Sequence, residues 1–192
     1  MILYLHGFRS SPKSMKARVV GVRMLEKGLD ADLRCPQLPA SPKAAMDLAL
    51  SLVAGVPAQD LSIIGSSLGG YYATWLAERL GCRAVLLNPA VDPLKSLDGQ
   101  AIVTTQFHSD EPFEFKTEYF DELRAFKVDR ITRPERYFLL ASSGDEVLDY
   151  RAMVAHYQGA KQHVIDGSDH AISEFEQYVD EVLAFCGAGP RA

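Results

Sequence analysis

The stretch Leu61-Ser62-Ile63-Ile64-Gly65-Ser66-Ser67-Leu68-Gly69-Gly70 decides how the chain is read. Residues 61–64 form an apolar run of the length and kind that makes a short buried strand. Beyond Gly70, Tyr72, Leu76 and Leu80 recur at helical spacing with Ala73 and Ala77, and Gly81 offers a stop. Between strand and helix lies Gly65-x-Ser67-x-Gly69, the nucleophile-elbow pattern. Its physics is steric. A serine on a sharp strand-to-helix turn exposes its hydroxyl, and the residues two places to either side come too close to other atoms for a Cβ. Amides at the start of the helix then face a developing oxyanion.

The same five residues also fit an ordinary Gly-rich turn, and Gly65-x-Ser67-x-x-Gly70 faintly imitates a dinucleotide-binding loop. Such a loop usually follows the first strand and wants an acidic residue closing the next one. Here the unit lies a third of the way along, and the following strand, 84–88, ends in Asn88-Pro89.

Length and composition set the frame. With 192 residues, 47% of them hydrophobic, the chain reads as one globular domain over 1–192 that buries a substantial core. A net charge of −5 and scattered Lys and Arg argue against nucleic acid or an anionic membrane surface as the main partner. No apolar run approaches the length of a membrane span. The start, Met1-Ile2-Leu3-Tyr4-Leu5-His6-Gly7, lacks a basic region and a small-residue cleavage site and reads as strand at once. Cys35, Cys82 and Cys186 are far apart and show no metal-ligand spacing, so no metal site is expected. Free thiols of this kind suit a reducing compartment, and a cytoplasmic enzyme is the expectation.

Taken in order, residues 2–5 make a strand that stops at His6-Gly7-Phe8. A helix is expected next, with Ser11 as cap, Pro12 in its first turn and Met15, Val19, Val22 and Leu25 facing inward, ending at Gly28. Residues 32–38, with their prolines, read as an edge strand, and Ser41-Pro42 opens a second helix carrying Met46, Ala49, Leu52 and Val53. After the elbow come strands at 84–88, 137–142 and 163–165 and helices near 150–157 and 172–185. The last helix places Phe175, Val179, Val182 and Leu183 on one face. Strands alternating with helices predict a doubly wound, mostly parallel six-stranded α/β sheet with helices on both faces.

In such sheets functional groups gather past the carboxyl ends of the strands. His6-Gly7, Ser67, Asn88, Asp145 and His170 all fall there. Residues 92–133 are too long for an ordinary connection and hold Phe107, Phe113, Phe115, Phe120 and Phe126, five of the nine phenylalanines, among Asp110, Glu111, Glu114, Glu118, Asp121 and Glu122. They read either as one or two surface helices packed on the core or as a helical cap over the site. The tail, 187–192, reads as loose.

A serine hydroxyl attacks well only when a base takes its proton and a carboxylate orients the base. Downstream of Ser67 the order is acid then histidine: Ser143-Gly144-Asp145-Glu146-Val147, then Gly167-Ser168-Asp169-His170. His170 has rivals in His6, His108, His156 and His163, but only it combines that order with a strand-end loop. Asp145 leads for the acid, with Asp92 as the rival after the strand that follows the nucleophile; Glu146 points elsewhere, and Asp169 is too close in sequence to His170. The amides of Leu68 and Phe8 are the expected oxyanion donors. Candidate substrate contacts are His6, Gly7, Phe113, Phe115 and Phe120.

Tyr4-Leu5-His6-Gly7-Phe8, Gly65-Ser66-Ser67-Leu68-Gly69-Gly70-Tyr71-Tyr72-Ala73, Leu87-Asn88-Pro89-Ala90, Gly144-Asp145-Glu146-Val147 and Gly167-Ser168-Asp169-His170 together resemble the α/β-hydrolases, and more narrowly the small YqiA-like esterases. The resemblance spans nearly the whole chain. It implies a hydrolase sheet lacking its first two strands, and carboxylester or thioester cleavage without metal or organic cofactor. It implies Ser67 as nucleophile, Asp145 as acid and His170 as base, with a small-molecule ester or thioester as substrate. A non-catalytic binding protein on the same fold, or amide or carbon–carbon hydrolysis by the same triad, are the alternatives.

Overall fold

The computed structural model describes residues 1–96, 101–107 and 111–188. Six strands form one sheet: β1 (Ile2–Leu5), β2 (Leu33–Arg34), β3 (Ser62–Ser66), β4 (Arg83–Leu87), β7 (Tyr137–Ser142) and β8 (Lys161–Ile165), in the order β2-β1-β3-β4-β7-β8. All five pairings are parallel. The register sets Leu5 opposite Gly65 and Ser66 opposite Leu87, so these strands end at one level.

Alternate residues feed two cores, as a sheet covered on both faces requires. Leu3, Leu5, Ile63, Leu86, Leu139 and Ala141 join one core with helices α2 (Pro42–Leu52), α3 (Leu68–Leu80) and α6 (Tyr150–His156). Ile2, Tyr4, Ile64, Val85, Phe138 and Leu140 join the other with α1 (Met15–Glu26) and α7 (Val179–Phe185). From β1 the chain winds one way to β2 and the other way to β3 and β4. The order therefore reverses between β1 and β3, and in open parallel sheets that reversal opens a crevice at the carboxyl ends. The loop after β1 and the elbow after β3 meet there.

Several expectations need correction. The inward face of α1 is Lys16, Ala17, Val20 and Met24, whereas Val22 and Leu25 are 56% and 63% exposed and Met15 is also exposed. The helix starts after Ser14, not Ser11, and carries two apolar stripes; the sequence reading took the outer one. The edge strand shrinks to two residues, preceded by a 3-10 turn at Asp30–Asp32, since Pro36 and Pro39 cannot donate to a ladder. The closing helix is broken into a 3-10 turn, Phe175–Gln177, and α7, yet it buries the predicted Phe175, Val179, Val182 and Leu183.

Residues 92–133 are not purely helical. Between α4 (Pro93–Ser96) and α5 (Tyr119–Ala125) they carry an antiparallel hairpin, β5 (Ile102–Thr105) and β6 (Pro112–Phe115). β6 alternates outward Pro112 and Glu114 with inward Phe113 and Phe115, the strand period rather than the helical one. The hairpin is tied to the loop after β1. Arg9 donates from Nε to the Thr105 carbonyl at 3.0 Å, and the Phe107 amide donates to the Arg9 carbonyl at 2.9 Å. Glu122 of α5 accepts from the Ser41 hydroxyl and the Lys43 amide, and the Tyr71 hydroxyl donates to the Leu123 carbonyl at 2.8 Å. His108, Asp110 and the last four residues, 189–192, lie outside the described residues. Among the described residues no helix is long and apolar enough to cross a membrane.

Candidate active site

Ser67 sits between β3 and α3 with φ 54° and ψ −120°, a strained conformation for a residue with a Cβ. The turn is locked by its neighbours: the Ser67 amide donates to the Leu87 carbonyl at 3.0 Å, and the Ala90 amide donates back to the Ser67 carbonyl at 3.0 Å. Close packing explains the flanking glycines. A Cβ at Gly65 would strike the Gly69 carbonyl and lie 2.7 Å from Ala73 Cβ; one at Gly69 would strike the Leu5 carbonyl. Gly7 faces the serine side chain, its missing Cβ 3.2 Å from Ser67 Cβ.

The structure brings Ser67, His170 and Asp145 into one hydrogen-bonded line. His170 Nε2 is 3.1 Å from Ser67 Oγ, and Nδ1 is 2.7 Å from Asp145 Oδ2. A carboxylate only accepts, so Nδ1 is the donor of that pair, and a ring protonated there alone turns its Nε2 lone pair to the serine hydroxyl. Asp145 is closed off from solvent, and its other oxygen accepts from the Val147 and Leu148 amides at 2.8 Å each. Burial alone pushes this carboxyl up. The bonds from His170 and from the two amides outweigh it and hold Asp145 below the usual carboxylate range.

The rivals are engaged elsewhere. Asp92 pairs with Lys95 at 3.4 Å, and Asp169 accepts from the amide and hydroxyl of Ser173. His163 bonds Glu181, and burial lowers the pKa of His156, which packs edge-on against Tyr157. His6 is buried, its Nε2 accepts from the Leu38 amide at 3.0 Å, and with Gly7 it lines a small cavity at the elbow. Glu146 does point at His170, but its carboxylate accepts from the backbone amide at 3.0 Å.

Beside the elbow is a cavity of about 20 Å³ whose walls include Gly7, Phe8, Leu68, Tyr72 and Phe113. Phe113 thus lines space next to Gly7 and Leu68. Phe115 and Phe120 do not: both are buried in the core, where Phe115 packs edge-on against Phe8 and Phe120 at 5.3 Å each. A wider groove of about 500 Å³ is lined by the apolar Pro89, Val91, Leu148 and Met153 and by the charged Asp92 and Lys127. Pro89 packs against Gly70, so the groove starts near the elbow.

Around His170, sequence reasoning missed Lys16 and gave Asn88 a strand-end place but no partner. Lys16 donates from Nζ to the Ala171 carbonyl at 2.8 Å and to that of His170 at 3.3 Å. Asn88, fully buried at φ 43°, accepts from the Ser142 amide and donates toward the Asp169 and His170 carbonyls at 3.1 Å each. The Leu87-Asn88-Pro89 stop was legible; what the Asn88 side chain reaches was not.

Comparison with known proteins agrees with this architecture. A UPF0227 protein of Vibrio campbellii (strain ATCC BAA-1116) is 26% identical over 194 residues, covering 98% of this chain and all of that protein. Among solved structures, Est1E from Butyrivibrio proteoclasticus with ferulic acid bound superposes with a TM-score of 0.68 at 18% identity, over 98% of this chain and 89% of that one. The esterase domain of a Rhodothermus marinus protein gives 0.63 at 20% identity, over 95% and 83%. At such identities the structures share the fold, that of the α/β-hydrolases. Residues 1–187 match the Uncharacterised protein family (UPF0227), and the chain belongs to that family.

Proposed function

We propose that the chain is a serine hydrolase that cleaves carboxylic esters or thioesters of small to medium acyl groups through an acyl-enzyme on Ser67. The observation that carries this reading is the line Ser67 Oγ, His170 Nε2, His170 Nδ1, Asp145 Oδ2, set on a strained elbow. His170 takes the Ser67 proton as Oγ bonds to the acyl carbon, and Asp145 holds the ring in the tautomer that permits it. Leu68 and Phe8 both line the small cavity, and their amides serve as donors to the tetrahedral oxyanion in this reading. His170 then protonates the departing alcohol or thiol. Water, activated by the same ring, releases the acid and restores Ser67.

The cavity at the elbow has room for about one water-sized group, which suits an oxyanion and not an acyl chain. The bulk of the substrate therefore lies toward the groove along Pro89, Val91, Leu148 and Met153. That esterases share the fold, one of them solved with ferulic acid bound, supports a small-molecule substrate.

The test is Ser67→Ala with a panel of p-nitrophenyl esters and acyl-CoA thioesters. Turnover drops to background while the fold persists, and mass spectrometry after fluorophosphonate treatment of the unsubstituted chain finds the adduct on Ser67. An adduct on Ser66 or Ser143, or full turnover by Ser67→Ala, defeats the proposal.

A further inference from the structure

The loop that carries His170 is gripped through its backbone from three directions. Glu146 takes the His170 amide, Asn88 reaches the Asp169 and His170 carbonyls, and Lys16 takes the carbonyls of His170 and Ala171. The loop needs such a grip. Ile172, two residues past the base, is β-branched, fully buried and held at φ 50°, a conformation that persists only where surroundings impose it. Of the three, Lys16 is the least expected. It is only 8% exposed, lies 154 residues away in sequence, and faces inward from a helix whose other buried residues are apolar. Lysine is rarely buried without a partner, because removing an ammonium from water is costly. Here the two carbonyls supply partners, and Asp145 and Asp169 supply the opposing charge.

We propose that Lys16 is a positioning residue for the base, acting through the His170–Ala171 backbone to hold Nε2 on Ser67; this rests on the hydrolase reading above. The charged groups around it are accounted for. Asp145 and Asp169, on the loops after β7 and β8, are the acids whose field reaches Lys16. Glu146 is bound to the His170 amide and Glu174 to the Ser168 hydroxyl, while Asp180 of α7 is taken by Arg23 and Lys27. Burial lowers the pKa of the ammonium to about 8 against the pull of Asp169 and Asp145, so its charge disappears in an accessible pH range.

The experiment compares the unsubstituted chain with Lys16→Met and Lys16→Arg. Lys16→Met lowers kcat on p-nitrophenyl acetate by about 10- to 100-fold, the cost of a slightly misplaced base, with KM changed less than about twofold. Lys16→Arg recovers much of that loss. The unsubstituted chain loses kcat above about pH 8 as the ammonium deprotonates; Lys16→Met lacks this limb, and Lys16→Arg carries it to higher pH. A readout free of turnover uses the Ser67→Ala chain, where the backbone amide resonances of residues 170–172 shift with a midpoint near pH 8 and stop doing so once Lys16→Met is added. If Lys16→Met keeps kcat within about twofold, or those amides ignore pH near 8, the inference is wrong. If the amides titrate as described but no ester turns over and no fluorophosphonate adduct forms, the clasp stands and the hydrolase reading fails.

Discussion

The Asp145 carboxylate, closed off from solvent, lies 2.7 Å from His170 Nδ1, while Asp92 is turned to Lys95. If the ring depends on this partner for its tautomer, Asp145→Asn lowers turnover by about 10⁴-fold with little change in KM. Asp92→Asn, which leaves the hydrogen-bonded line intact, keeps kcat within about threefold of the unsubstituted chain, and its place in the groove is read in KM alone. Steady-state kinetics on one p-nitrophenyl ester separate the two. The reverse ranking would move the acid to the other loop.

Asp145 also marks the acid side of the stability curve. Its folded-state pKa is depressed, so it contributes stability above the ordinary carboxylate range, lost as pH falls through the folded value. Urea denaturation between about pH 3 and pH 6 should show a shallower acid-side fall for Asp145→Asn than for the unsubstituted chain. Parallel curves would mean that this carboxylate carries none of the acid sensitivity.

Gly69 at the elbow and Gly55 after α2 are needed for different reasons, the first for close packing and the second for its left-handed backbone. Gly69→Ala drives a Cβ into the Leu5 carbonyl, and the loss should exceed about 4 kcal/mol or leave no folded chain. Gly55→Ala, at φ 79° with open space around it, carries only the left-handed penalty, about 1 kcal/mol. Chemical denaturation of both variants makes the comparison direct.

Phe113 and Phe115 are two residues apart on β6 with different surroundings. Phe115→Ala removes a ring from the core and should lower stability by about 3–5 kcal/mol. Phe113→Ala enlarges the small cavity beside Leu68 and Phe8, which as it stands takes no acyl chain, so longer acyl chains gain a place there and the dependence of kcat/KM on chain length should change. An unchanged profile for Phe113→Ala would make that ring purely structural.

Local sterics and local periodicity were legible in the sequence. β1, β3, β4 and β7 were visible as apolar runs, while β2 was read too long from its prolines and β8 too short; the Gly65-x-Ser67-x-Gly69 spacing announced a turn in which each glycine meets other atoms. The order of Ser67, Asp145 and His170 past three strand ends followed from the same runs, because parallel strands deliver their carboxyl ends to one edge.

What only the tertiary structure decided are choices made by distant partners. Two apolar stripes of α1 competed, and the one carrying Lys16 won because it faces the sheet and the His170 loop. Phe113 and Phe115 both join the core and both pack edge-on against Phe8, yet only Phe113 also lines the small cavity beside Leu68. Asp145 rather than Asp92 reached His170 because Ser142 and Ile165 pair at the ends of β7 and β8, setting the Asp145 and His170 loops side by side. A sequence shows which side chains exist and how often they recur; which carbonyl a lysine meets 154 residues later is set by strand order and register.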